Sequence, residues 1–362
     1  MTMPQLLRRL LCAAGLTWTL VAAHAELGQT ELPASAEDGP VTVYYPTLAT
    51  AQPVRRGRMA LSLAVDAPPQ RGNGRLVVIS HGSGGSPWVH ADLARALVDA
   101  GYVVAMPEHR DDNYRHDSRP GPDSWTLRPA EVSRAIDAIG RDARFAPLLQ
   151  LDQVGVYGMS AGGHTALTLA GGSWSPAGFK RHCQANLRGD FPFCVGLITH
   201  LTGSWLDGVR TWVASAAIGI LFNDERLREH HDSRIVAVVA AVPAAADFEM
   251  ATLATPRVPL GLVVVRQDRW LKPQFHSEAV LAVCKSCELV ADLPEGGHGA
   301  LLSPLPPGIQ GIAGELLNDP PGFDRSLLAD VDRSIVGFFD RHVPKSSAAL
   351  AVTSRLPCLF RW

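Results

Sequence analysis

Residues 158–162 read Gly-Met-Ser-Ala-Gly, a G-x-S-x-G spacing centred on Ser160. An apolar, valine-rich run at 154–157 precedes it, and a helical pattern at 161–170 follows. A strand that turns this tightly into a helix needs nearly bare neighbours, which Gly158, Ala161, Gly162 and Gly163 supply. Such a turn presents the serine oxygen at the strand tip, beside helix N-terminal amides that favour negative charge. The chemistry it serves is nucleophilic attack by the Ser160 hydroxyl.

A serine hydroxyl is a weak nucleophile near neutral pH, so a base and an orienting acid are required. Around this turn type the chain order is Ser, acid, His. Of the histidines after Ser160, only His298 stands in a short glycine-flanked loop behind a late strand, within Glu-Gly-Gly-His-Gly at 295–299. His164, four residues into the helix, reads as packing or surface. Asp268 follows the apolar run 260–265 and ranks first as the acid; Asp247, after the run 235–242, is the alternative. A tetrahedral intermediate also needs preorganised donors. The amide after the nucleophile, Ala161, is one. The second is assigned to Ser83 ahead of Gly82, within His-Gly-Ser-Gly-Gly at 81–85, where glycines allow close backbone approach. His81 reads as a brace for that loop.

The cluster Glu108, His109, Arg110, Asp111, Asp112 offers metal-ligand atoms. A mixed-charge loop is more often solvated or internally ion-paired, and here it would line the pocket. A metal site there is not the expected reading. The chain has 33 Lys and Arg against 35 Asp and Glu, so it lacks the basic excess that phosphate backbones demand, and nucleic acid is not an expected partner. With 46% hydrophobic and 19% charged residues, the 362-residue chain can bury a sizeable core.

Strands are expected at 41–45, 59–65, 75–80, 102–106, 154–157, 235–242, 260–265 and 288–293. Helices are expected at 91–100, 130–139, 161–170 and 324–342, with an irregular lead-in at 26–40. This alternation predicts an α/β fold, a mostly parallel sheet with helices on both faces. About sixty residues, 172–232, interrupt it and hold Trp174, Trp205 and Trp212. They are read as a helical cap insertion in a domain spanning 26–344, with a loose tail at 345–362.

Arg8 and Arg9, an apolar stretch over 10–23, and Ala-His-Ala at 23–25 form the pattern of a secretory signal peptide, residues 1–25. The expected location is periplasmic or secreted, and no later segment is long and apolar enough to span a membrane. In an oxidising compartment Cys183 is expected to pair with Cys194 and Cys284 with Cys287, leaving Cys358 over.

The stretches 77–85, 101–111, 128–134, 155–163 and 296–299 resemble a secreted α/β-hydrolase of the predicted dienelactone hydrolase group, related to platelet-activating-factor acetylhydrolases. The resemblance implies an α/β-hydrolase fold, with Ser160 as nucleophile, His298 as base and an aspartate as acid. It also implies oxyanion amides at Ser83 and Ala161, and carboxylic-ester cleavage without cofactor. The chain departs from dienelactone hydrolases in having Ser160 where they have cysteine, which favours ordinary esters. It departs from the acetylhydrolases in having Pro243 near their acid position, the first carboxylate there being Asp247. The expected activity is a serine esterase acting on a small-molecule or lipid-like ester. An acyltransferase or thioesterase with the same triad, and a non-catalytic binding module on the same fold, are the rival readings.

Overall fold

The computed structural model describes residues 25–344. The signal-peptide reading, the tail and Cys358 fall outside the described residues. In chain order the elements are β1 (Glu26–Leu32), β2 (Val41–Thr47), β3 (Gln52–Arg56), β4 (Met59–Val65), β5 (Leu76–Ser80), α1 (Ala91–Asp99), β6 (Val103–Pro107), α2 (Pro122–Arg141), β7 (Val154–Met159), α3 (Ala161–Leu169), α4 (Pro176–Asn186), α5 (Phe191–Val195), α6 (Leu206–Leu221), β8 (Ile235–Ala241), α7 (Met250–Leu253), β9 (Leu260–Val265), α8 (Ser277–Val283), β10 (Glu288–Leu293), α9 (Gly311–Leu317) and α10 (Leu328–His342).

The ten strands form one sheet in the order β10-β9-β8-β7-β5-β6-β2-β1-β4-β3. Neighbours from β10 to β6 run parallel, while β2 is antiparallel to both β6 and β1. The parallel strands read as apolar runs because both faces are covered. Side chains alternate between the two layers: Val78 and Val156 pack with Val132 and Ile136 of α2, whereas Val77, Ile79 and Tyr157 pack with Leu97 of α1 and Phe338 and Phe339 of α10. This is the doubly covered α/β sheet expected from the alternation.

Three local expectations change. The lead-in at 26–40 contains a strand, β1, paired with β2 over its whole length. Its buried Gln29 and Thr30 hid the signal, since they are polar residues on a covered strand. The connection before β4 is itself a strand, β3, closing a hairpin. Helix α2 begins at Pro122 rather than near 130 and carries Pro129 inside it. Proline is well suited to the first position of a helix but costs a hydrogen bond in its interior, so Pro129 masks the first two turns in the sequence.

Residues 172–232 hold α4, α5 and α6, and the Cys183–Cys194 disulfide ties α4 to α5. Cys284 and Cys287 also form a disulfide. This segment docks through buried contacts: Trp174 and Phe193 meet Trp125 of α2, and Asp190 bonds His276 at the start of α8. Helix α6 leaves Val209, Trp212, Val213 and Ile220 exposed. None of the described helices is long and apolar enough to cross a membrane.

Candidate active site

Ser160 stands between β7 and α3 with φ 59° and ψ −117°. That left-handed backbone is unusual for a residue with a side chain and costs on the order of 1–3 kcal/mol, so the surroundings must enforce it. They do so by close packing. A Cβ on Gly158 would sit 1.9 Å from the Gly162 carbonyl oxygen, and one on Gly162 would sit 1.9 Å from the Ser80 carbonyl oxygen. The Ser160 amide donates to the Ala241 carbonyl at 3.0 Å, and its carbonyl accepts from His164 and Ala244. The turn is thus locked to β8 and to the first turn of α3, with the side chain left half-buried.

His298 opens a 3₁₀ turn, His298–Leu301, just beyond β10. Gly296 donates back to Leu293 and accepts from the Gln267 amide, which joins the histidine loop to the loop after β9. That second loop carries Asp268. The loops bring the three side chains into one line. His298 Nε2 lies 3.0 Å from Ser160 Oγ, and His298 Nδ1 lies 2.7 Å from Asp268 Oδ2. Asp268 Oδ1 accepts from the amides of Trp270 and Leu271, both at 2.8 Å. With both carboxylate oxygens engaged, the acid cannot swing away, and Nδ1–H is the tautomer that satisfies it. The Trp270 ring lies 5.1 Å from the His298 ring, centroid to centroid, and His298 is buried.

The loop at 81–85 borders the serine: a Cβ on Gly82 would lie 3.8 Å from Ser160 Oγ. Among the described residues, the amides of Ser83 and Ala161 donate to no protein acceptor. Two free amides beside a nucleophile at a helix N-terminus are suited to a developing oxyanion.

Asp247 goes elsewhere. Its Oδ2 lies 3.0 Å from His164 Nε2, in a buried pocket where His164 stacks on Trp125. His81 is buried: its Nδ1 faces the Gly82 carbonyl at 2.7 Å and its Nε2 accepts from the His109 amide at 3.3 Å. The charged cluster is spoken for within the protein. Glu108 pairs with Arg115, His109 with Glu131, and Asp112 with Arg128. A cavity of about 450 Å³ is lined by Asp268 with Gln267, Arg269, Gly297 and Asn318 among others, and Ser160 is not part of its wall.

Sequence reasoning missed the residues that carry the 81–85 loop. Arg128 of α2 donates to the His81 carbonyl, and Glu131, three positions on and so on the same helix face, bonds His109, whose amide donates to the His81 ring. That spacing was visible, but their segment was divided between loop and helix. Burial holds His109 well below the ordinary imidazole value, and the Arg128 charge adds to the effect. Burial alone would raise the Asp112 carboxyl, but Arg128 and the loop donors outweigh it and hold it at about 2.

No family model and no curated protein sequence matches the chain. Among solved structures the chain is similar to a ferulic acid esterase from Streptomyces cinnamoneus, with a TM-score of 0.55 and 17% identity. The match covers 93% of this chain and 95% of that one. At that identity the likeness concerns the fold, and with the sheet order above it defines the chain as an α/β-hydrolase fold.

Proposed function

We propose that the chain is a serine hydrolase that cleaves carboxylic esters through an acyl-enzyme. The observation that carries this reading is the unbroken line Ser160–His298–Asp268 at a strained turn flanked by two unpaired amides. In this reading Ser160 Oγ attacks the ester carbonyl as His298 Nε2 takes its proton. Asp268 holds the imidazolium, and the oxyanion rests on the amides of Ser83 and Ala161. Collapse expels the alcohol, which leaves with the proton from His298. Water then enters by the same route: His298 takes its proton, the hydroxide adds to the acyl carbon, and the acid departs as Ser160 recovers its hydrogen.

The ferulic acid esterase on the same fold supports ester chemistry, and the five sequence stretches support a relation to the dienelactone hydrolase group. Trp270 beside His298 supports an aromatic or apolar group on the substrate. The two disulfides support an oxidising, extracytoplasmic location. The same reading takes 172–232 as a cap inserted into a single catalytic domain, with Trp205 and Trp212 as apolar surface available to substrate.

The test is hydrolysis of p-nitrophenyl esters by the purified chain and by Ser160→Ala, with product analysis in added alcohol to separate hydrolysis from acyl transfer. Turnover should vanish in the variant, and the free acid should dominate the products. Equal rates for the two proteins would remove Ser160 from the reaction.

A further inference from the structure

We infer that Asp112 and Arg128 are positioning residues for the Ser83 oxyanion amide, a clamp that fixes the 81–85 loop against Ser160. The inference rests on the esterase reading and deepens it. Arg128 is wholly buried on α2 and spends its guanidinium on this one region. Nη1 donates to the His81 carbonyl at 2.5 Å, and Nη2 donates to Asp112 Oδ2 at 2.7 Å and to the Asp112 carbonyl at 3.2 Å. Nε donates to Ser124 Oγ at 2.7 Å. Asp112, equally buried, turns its other oxygen to the loop: Oδ1 accepts from Ser83 Oγ at 2.5 Å and from the Gly84 amide at 2.9 Å.

The consequence falls on the Ser83 amide. Its own side chain and the next amide are both turned towards Asp112, the carbonyl two residues before it is pinned by Arg128, and the Gly85 amide closes a turn on Gly82 at 3.0 Å. The Ser83 N–H is left without a protein acceptor, on a loop whose Gly82 borders Ser160 Oγ. Asp111, just before Asp112, has φ 59°, so the backbone is strained at the residue that delivers the carboxylate. A buried ion pair is a poor way to gain stability, since desolvation offsets its attraction. Its value here is geometric: a planar guanidinium and a carboxylate fix several atoms at once. Oxyanion donors act only if they stand in place before the charge develops, and a displacement of about 1 Å can cost about 10²-fold in rate.

The clamp is tested on the full chain with Asp112→Asn and Ser83→Ala. The readouts are kcat and KM on a p-nitrophenyl ester and the inhibition constant of an aryl trifluoromethyl ketone, whose serine adduct carries the oxyanion. Because that charge is absent from the bound ester, Asp112→Asn should lower kcat by about 10²-fold with KM within about threefold. Ketone affinity should fall by a similar factor. Ser83→Ala keeps the backbone amide, loses only the bond to Asp112, and should lower kcat by about tenfold with the same weakening of the ketone. Should Asp112→Asn fail to fold, Ser83→Ala decides alone, since Ser83 is exposed and removing its hydroxyl leaves the ion pair intact. Unchanged kcat and ketone affinity in the folded variants, or a rise in KM with kcat intact, overturns the clamp while Ser160 dependence stands. Full activity in Ser160→Ala overturns the esterase reading and the clamp with it.

Discussion

Two lines of serine, imidazole and carboxylate lie on neighbouring strands of this sheet. One is Ser160–His298–Asp268. The other is Ser80–His109–Glu131, where Ser80 Oγ lies 2.7 Å from His109 Nε2 and His109 Nδ1 lies 2.5 Å from Glu131 Oε2. By distance the second line is the tighter. It is also sealed: Ser80 and His109 are wholly buried, and the first turn of α3 sits on the Ser80 carbonyl. Ser80 ends β5 in strand register with Gly158, two residues before Ser160. A regular strand leaves the Ser80 side chain in the core, while the forced φ at Ser160 lifts that serine out of regular structure, next to the free amides. A hydrogen-bonded line of this kind is therefore a common way to satisfy buried polar groups. On the proposed reading, backbone strain, access and donors left without acceptors separate the reaction centre from the brace.

The largest effect should separate the acids. Asp268→Asn leaves the geometry but favours the wrong imidazole tautomer, and should lower kcat by about 10⁴-fold. Asp247→Asn, which touches His164 and not His298, should leave kcat within about threefold, because it sits outside the reacting line. Steady-state ester hydrolysis by both variants checks this, and a reversed order would make Asp247 the acid. The sealed line should answer in the opposite currency. Ser80→Ala and Glu131→Gln each leave a buried group short of a partner and should cost about 1–3 kcal/mol of stability, read by urea unfolding. Ser80→Ala should keep most of the turnover. Loss of activity in Ser80→Ala without loss of stability would break the distinction between the two lines.

The parts of this arrangement that were legible in the sequence are those with local causes. Strands β4, β9 and β10 match the apolar runs residue for residue, because both their character and their ends are written in short segments. Ser160 was legible because a tight turn demands small residues in order, and His298 because its glycines isolate it from every other histidine after Ser160. The choice between Asp268 and Asp247 was less so. Both follow strands, and only the tertiary path of the loop after β10, through Gln267 and Gly296, brings one of them to His298. The supporting network was the least visible. Arg128 and Asp112 are charged residues of the kind that normally stay in water. Their burial depends on mutual neutralisation across 16 positions of chain, which neither periodicity nor composition records. The strand β1 was hidden for a related reason: its side chains Gln29 and Thr30 are polar yet covered.

Another buried imidazole, outside both lines, carries the smallest expected effect. His90 is buried against Tyr157, and neither of its ring nitrogens has a partner among the described residues. It therefore has the burial of His109 without the bonds. Burial pushes it down to about 4 from the ordinary imidazole value of 6.5. As pH falls below 6.5, the unfolded chain takes up this proton while the folded chain refuses it. The contribution of His90 to stability is therefore full above about 6.5, is lost progressively down to about 4, and changes no further below that. His90→Leu removes the group and the loss together. Unfolding in urea at about pH 7 and about pH 4.5 should show a pH dependence smaller in the variant by on the order of 2 kcal/mol. Ester hydrolysis at neutral pH should be unaltered, since His90 belongs to neither line. An equal pH dependence in the two proteins would mean that the cost of charging a sealed imidazole is carried by the partnered rings, His81 and His109, whose values burial also lowers.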